Sequence, residues 1–266
     1  MYSDTHIHTR FSPDSDADLE EIIQKALSLD MKHICITDHQ DFDYPVPHLF
    51  FDLDLPEYYE TLCKFRKKYA GRIELLIGVE TGLEPGLQKK IRDFTGLVPF
   101  DFIIGSSHLV NGHDPYYPDY FDGRTEREAF AEYFTSILDN LNANKDFDVY
   151  GHLDYIVRYA PQKNANYSYA DYADYLDEIL KTLIRMDKGI EVNTGGYRYE
   201  LNDTNPSQDI IKRYRQLGGD IITIGSDAHT PDYIGYNFDL AAATLKNSGF
   251  RHYNIFRQRS PVFIGL

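Results

Sequence analysis

His33-Ile34-Cys35-Ile36-Thr37-Asp38 is an apolar, β-branched run over 33–38 that closes on an acid, with the imidazole of His39 directly after it. Its length and composition are those of a buried strand. Runs over 2–8, 73–79, 101–107, 147–151, 189–193 and 220–225 read the same way. Amphipathic stretches separate them and predict helices over 17–29, 56–69, 86–94, 125–143, 170–187, 206–217 and 238–248. In the first, Leu19, Ile22, Ile23, Ala26 and Leu27 share one helical face. Gly218 and Gly219 mark the stop of the sixth helix before the last strand. Strand and helix alternate along the whole chain, the pattern of a mainly parallel α/β sheet, and 266 residues suit one α/β barrel. No repeat, low-complexity tract or linker divides the sequence, so a single domain over 1–266 is expected.

The strand ends carry the chemistry. Alternation along the first run points His6 and His8 to the same face, so two imidazoles can meet one ion. The second run closes on Asp38-His39, the third on Glu80, the fourth on Ser107-His108, the fifth on Gly151-His152 and the seventh on Ser226-Asp227-Ala228-His229. Taken singly, each is as readily a hydrogen-bonded loop residue. Together they place metal-capable side chains at the carboxyl ends of six strands, where α/β barrels build active sites. Histidine with Asp and Glu suits Zn²⁺, Mn²⁺ or Fe²⁺. Cys35 and Cys63 have no ligand spacing and read as core thiols.

Composition narrows the partners. A formal charge of -15 and the lack of a Lys/Arg run exclude a long nucleic acid as the expected partner. Bound divalent ions would still make the site locally positive, which keeps a small anionic substrate open. Met1 leads directly into Tyr2-Ser3-Asp4 without a signal core, and no apolar stretch spans a bilayer, so the expectation is a cytoplasmic protein without a membrane partner. Two loops, 40–55 and 109–124, are long and rich in Asp, Pro, Tyr and Phe, a composition that suits a functional rim.

His6-x-His8, Ser12-Pro13-Asp14, Thr37-Asp38-His39, Glu80, Ser107-His108, Gly151-His152 and Gly225-Ser226-Asp227-Ala228-His229 together resemble the polymerase and histidinol phosphatase (PHP) superfamily of metallohydrolases. The resemblance implies a distorted (β/α)₇ TIM-like barrel with two or three divalent ions. It assigns His6, His8, Glu80 and Asp227 to a first ion. Glu80 would bridge to a second, completed by His108 and His152, and Asp14, His39 and His229 would hold a third. Asp14 stands where many members have histidine. Three such ions contribute about +6 against about -3 from Asp14, Glu80 and Asp227, leaving a site fit for a phosphomonoester dianion.

Arg158 and Arg198 follow the fifth and sixth strands, and a guanidinium fork matches phosphate oxygens. Their segments, with Glu191-Val192-Asn193-Thr194 ahead of Arg198, resemble the histidinol-phosphatase branch, although Gly195 and Tyr197 depart from it. The implied activity is metal-dependent hydrolysis of L-histidinol phosphate in histidine biosynthesis, with Arg158, Arg198, Glu80 and Asp227 catalytic. A phosphodiesterase or nucleotide phosphatase of the same superfamily and a non-catalytic metal-binding domain are the rival readings. Asp38 and Asp154 are expected to orient imidazoles rather than bind metal. His48 and His113, on the loops, are candidates to touch substrate, as are Phe42, Tyr44, Phe50, Tyr116, Tyr117 and Phe121 with Asp41, Asp43, Asp114 and Asp119. His33 lies at the opposite, structural end of its strand, and His252 in the tail.

Overall fold

A computed structural model of the chain describes residues 3–266. Strands β1 (Ser3–Ile7), β2 (His33–Ile36), β3 (His39–Gln40), β4 (Glu74–Gly82), β5 (Phe102–Ser106), β6 (Val149–Tyr150), β7 (Gly189–Asn193) and β8 (Ile222–Gly225) form one parallel sheet in the order β1-β2-β4-β5-β6-β7-β8, with β3 extending beside β4. Strand order follows chain order because a helix or helical turn returns the chain between neighbours. The sheet curls until its edges meet. His8 N donates to Ala228 O at 2.9 Å and Asp227 N to His6 O at 2.9 Å, which nearly closes a seven-stranded barrel.

Around it run α1 (Leu19–Ser28), α2 (Leu55–Lys68), α3 (Gln88–Thr95), α4 (Glu126–Ala143), α5 (Ala173–Arg185), the single turn α6 (Gly195–Arg198), α7 (Gln208–Gln216) and α8 (Phe238–Asn247). Their boundaries obey local chemistry. Asp18 caps α1 by accepting from Glu20 N at 2.8 Å, and Thr125 with Glu128 forms a reciprocal capping box on α4. Leu19, Ile22, Ile23 and Ala26 of α1 are all buried. After α7, Gly218 turns the chain at φ +99°.

All seven expected strands are present, with shifts at their ends. Tyr2, placed in the first strand, lies outside the described residues. The second run breaks after Ile36 and resumes at His39, because Asp38 leaves the ladder to accept from Thr9 N at 2.6 Å and from Thr9 Oγ1 at 2.8 Å. The fifth strand shrinks to two residues, and the helix expected over 170–187 begins as a 3₁₀ turn before α5.

The tail is not a tail. Strands β9 (His252–Arg257) and β10 (Ser260–Gly265) pair antiparallel and plug the amino-terminal mouth of the barrel. Ile222 N donates to Asn254 Oδ1 at 2.9 Å, Ser3 Oγ lies 2.9 Å from the Tyr253 hydroxyl, and Phe256 stacks on Phe102 at 5.0 Å. Arg259 binds Asp148 just ahead of β6. With that end sealed, the carboxyl end is left open. Among the described residues no helix is long and apolar enough to cross a membrane.

Candidate metal centre

At the open end Glu80 is the hub. It projects from within β4, fully buried, and its two oxygens face different histidines. Oε2 lies 3.1 Å from His39 Nδ1, 3.2 Å from His6 Nε2 and 3.6 Å from His8 Nε2. Oε1 lies 2.9 Å from His152 Nε2 and 3.3 Å from His108 Nε2, and accepts from Ser106 Oγ at 2.6 Å. Asp227 Oδ1 approaches His8, His229 and His6 at 3.5, 3.7 and 3.8 Å. Asp14 Oδ2 approaches His229 and His39 at 3.2 and 3.6 Å. All nine residues expected as ligands therefore converge.

Among the described residues three groups of ligand atoms are close enough to share an ion: His6, His8 and Glu80; His39, Glu80 and His108; His8, His39 and His229. The grouping cuts across the expected assignment at His39, which stands between His108 and His229, and at His8, whose ring stacks on those of His39 and His229 at 4.3 and 4.2 Å.

The donor set fits cations. Ser12 Oγ donates its proton to Asp38 Oδ1 at 2.7 Å and accepts from His39 N at 3.0 Å, so His8 Nδ1, 3.2 Å away, is the donor in that contact. His8 Nε2 is then an unprotonated acceptor facing His6 Nε2 at 3.0 Å and two carboxylate oxygens. Acceptors turned on one another in a dry site repel unless a cation lies between them. Protonation without metal reflects the same demand. Burial lowers the pKa of His6, but Glu191, Glu80 and Asp227 overcome it and hold it well above the ordinary value. Burial likewise opposes, and Asp41 and Glu80 impose, the raised pKa of His108. His8 goes the other way, lowered by burial and by its neighbours His229 and His39. Despite burial, surrounding cationic groups keep Glu80 and Asp227 well below the usual carboxylate range.

Behind the ligands the expectation for the two neighbouring acids needs correction. Asp38 acts on His8 only through the Ser12 hydroxyl. Asp154 touches no imidazole: it accepts from Asn205 Nδ2 at 2.6 Å, Ser207 N at 2.9 Å and Tyr167 OH at 3.2 Å. Burial pushes both carboxyls up to about 6. Outside the expected ligand set, the acids in contact with ligand imidazoles are Glu191, 2.7 Å from His6 Nδ1, and Asp41, 2.7 Å from His108 Nδ1. Sequence reading did not single out Glu191 as a site residue, and it read Asp41 only as a candidate to touch substrate. The available signal was strand parity, which places Glu191, Asn193 and the β7 carboxyl end on one face.

Above the cluster opens a cavity of about 510 Å³. Arg158 and Arg198 both line it, in different states. Arg158 is buried and pinned: Nη1 donates to Asp227 Oδ2 at 2.7 Å, Nη2 to Asn193 Oδ1 at 2.8 Å and Nε to Asn205 Oδ1 at 2.8 Å. Two of its five N–H groups remain for a ligand. Arg198 makes one bond, Nη2 to Asp227 O at 2.9 Å, and lies over the Tyr233 ring at 4.9 Å. From the loops, Asp41, Tyr44, Asp114, Tyr116 and Tyr117 reach the lining. Phe42 instead packs on Phe94, Phe121 is buried beside Tyr120, and Asp43 pairs with Lys90. Phe50, Asp119 and His113 are exposed away from the lining. So is His48, the loop histidine expected to touch substrate, whereas its neighbour Leu49 does line the cavity. Tyr155, Tyr159, Tyr199 and Tyr233, missed in the sequence, form the remaining wall. Each follows a strand end by a few residues, in segments read only for their charged groups.

The chain belongs to the PHP domain family, whose model matches residues 4–195. It is 35% identical to a probable histidinol-phosphatase of Clostridium acetobutylicum, over 94% of this chain and 95% of the relative. It is 30% identical to a histidinol-phosphatase of Lactococcus lactis subsp. lactis, over 95% of this chain and 93% of the relative. The fold superposes, at a TM-score of 0.91, 29% identity and 98% coverage of both chains, on a crystal structure of histidinol phosphate phosphatase from Lactococcus lactis complexed with zinc, L-histidinol and phosphate.

Proposed function

We propose that this chain is a metal-dependent phosphomonoesterase that hydrolyses L-histidinol phosphate to L-histidinol and phosphate, a step of histidine biosynthesis in the cytoplasm. The observation that carries the reading is Glu80, whose oxygens divide between two groups of histidines beneath a cavity lined by two arginines. The relatives' names and the zinc, histidinol and phosphate in the similar crystal structure support the substrate.

His6, His8, Glu80 and Asp227 would hold one ion, His108 and His152 a second shared with Glu80, and Asp14, His39 and His229 a third. Zn²⁺, Mn²⁺ or Fe²⁺ there supplies Lewis acidity toward phosphoryl oxygens and activates water near neutral pH. The chain's own residues do the positioning. Arg158 and Arg198 hold the phosphate from the side of Asp227, and charge-assisted contacts fix its orientation. The tyrosine wall and Asp114 line the part of the cavity that would take the remainder of the substrate. A non-catalytic domain would not need two arginines beside an intact ligand set.

The test is phosphate release from histidinol phosphate by zinc-reconstituted protein. Turnover that disappears on chelation and returns with zinc is expected. No release under either condition would sink the reading.

A further inference from the structure

Two carboxylates outside the expected ligand set contact the cluster through matching geometry. Glu191 Oε1 lies 2.7 Å from His6 Nδ1, and Asp41 Oδ2 lies 2.7 Å from His108 Nδ1. Each imidazole turns its other nitrogen to Glu80, His6 Nε2 to Oε2 at 3.2 Å and His108 Nε2 to Oε1 at 3.3 Å. A carboxylate accepts, so Nδ1 carries the proton toward Glu191 or Asp41, and a cation bound beside Glu80 would find Nε2 free to give up its own proton and present a lone pair.

Each carboxylate also occupies a seat opened by a glycine. A Cβ added at Gly225 would fall 2.2 Å from Glu191 Oε1, and one added at Gly82 would fall 2.5 Å from Asp41 Oδ1. Glu191 is anchored further: Oε2 accepts from His152 N and from Asn193 Nδ2, both at 3.0 Å. Asp41 is backed by the antiparallel bridge to Phe51, and its second oxygen has no hydrogen-bond partner among the described residues. The imidazoles they contact differ: Glu191 meets a ring that faces Glu80 Oε2 and Asp41 one that faces Oε1.

We infer that Glu191 and Asp41 are positioning residues, each fixing the ring tautomer and orientation of one metal-binding histidine and so setting the affinity of its own half of the Glu80-bridged cluster. The inference rests on the metal reading above. In Glu191→Gln the amide would have to turn its NH₂ either toward His6 Nδ1, reversing the tautomer, or toward the donors His152 N and Asn193 Nδ2. Asp41→Asn offers His108 a weaker acceptor.

The experiment is an equilibrium zinc competition against a chromogenic chelator, with elemental analysis, on wild type, Glu191→Gln and Asp41→Asn. Each variant is expected to bind one zinc equivalent about 10- to 100-fold more weakly, the usual effect of losing such a partner, and the other equivalents as wild type. Wild-type affinity for every equivalent in both variants would overturn the inference, as would uniform weakening of all equivalents in either. Long-range ¹H–¹⁵N spectra of the zinc-loaded wild-type protein provide an arm that does not depend on the variants folding. Protonated Nδ1 in both His6 and His108 is expected, and an unprotonated Nδ1 in either ring overturns the inference. A wild-type chain that takes up no zinc would overturn the metal reading and this inference with it.

Discussion

At the scale of single residues, two similar arginines have unequal roles. Arg198 contacts the cluster only through the Asp227 backbone carbonyl, whereas Arg158 holds the Asp227 carboxylate itself. Arg198→Ala should therefore reduce kcat/KM about ten- to a hundredfold, as loss of a charge-assisted contact of roughly 1.5 to 3 kcal/mol predicts, with metal content unchanged. Arg158→Ala should reduce kcat/KM and also weaken metal binding, because a buried carboxylate loses its countercharge. Kinetics paired with elemental analysis separates the two, and equal metal content in both variants would refute the distinction. Glu80 and Asp14 differ for a related reason: one divides its oxygens between histidine groups deep in the site, while the other is exposed at the rim. Glu80→Gln should deplete two ions and Asp14→Asn one, read by the same analysis. Most of the ligands were legible in the sequence because they lie at or just after an apolar run, a local signal, whereas Asp14 follows no such run and came only from the family resemblance. Glu191 and Asp41 were not legible, since what identifies them is a partner far away in the chain that only barrel closure brings near.

At the scale of elements, the barrel and the plug are held by different signals. Period and composition reveal the seven strands of the barrel, because a buried parallel strand reads as a continuous apolar run. The β9–β10 hairpin was missed because β10 is partly exposed, carries a proline at Pro261, and has a pairing partner that is local rather than part of the sheet. Even β3 was hidden, as two residues carry no period. The hairpin is nonetheless tied to the sheet by the buried Asn254 side chain, whose oxygen satisfies the first N–H of β8. Asn254→Ala leaves that N–H unpaired in the core, at a cost of about 1 to 3 kcal/mol. The urea midpoint should fall by the corresponding amount with an unchanged slope. Because the hairpin lies at the end opposite the cluster, KM should stay at its wild-type value. A loss of substrate affinity without a loss of stability would contradict the placement.

At the scale of the whole molecule, an acidic protein with charge -15 surrounds a site that demands cations, so metal and stability are linked. Without metal, His6, His108 and His229 hold protons more tightly than ordinary histidines: their burial opposes this, but Glu191, Glu80, Asp41 and Asp14 prevail. A folded pKa raised above the unfolded value of about 6.5 gives stability that is present below that pH and lost as pH rises through the folded value. Zinc must displace those protons, so its stabilising increment should grow between pH 6 and pH 8. At a free zinc concentration of 100 times Kd the increment is about 2.7 kcal/mol. Thermal melts with zinc or a chelator across that range check the sign, and an increment that shrinks with pH would show that protons are not what the metal replaces. The same charge balance bears on substrate choice. The cavity is lined by the cluster and two arginines, which lie over the rings of Tyr155, Tyr199 and Tyr233, and also by the loop carboxylate of Asp114, so its lining is polarised between an anion-binding set and a cation-tolerant acid. Asp114 accepts from Tyr44 OH at 2.6 Å and from Tyr116 N at 2.7 Å, which holds the loops' only cavity-lining acid other than Asp41 in place. A phosphomonoester with an aromatic, cationic remainder matches both, whereas a sugar phosphate offers no cation and a nucleoside monophosphate no ammonium. Histidinol phosphate should therefore exceed both in kcat/KM by at least about a hundredfold, which requires only roughly 2.7 kcal/mol of differential transition-state binding. Asp114→Asn should narrow that ratio by weakening histidinol phosphate alone, and a flat profile across the three substrates in the wild-type enzyme would refute the polarised-cavity argument while leaving the metal chemistry in place.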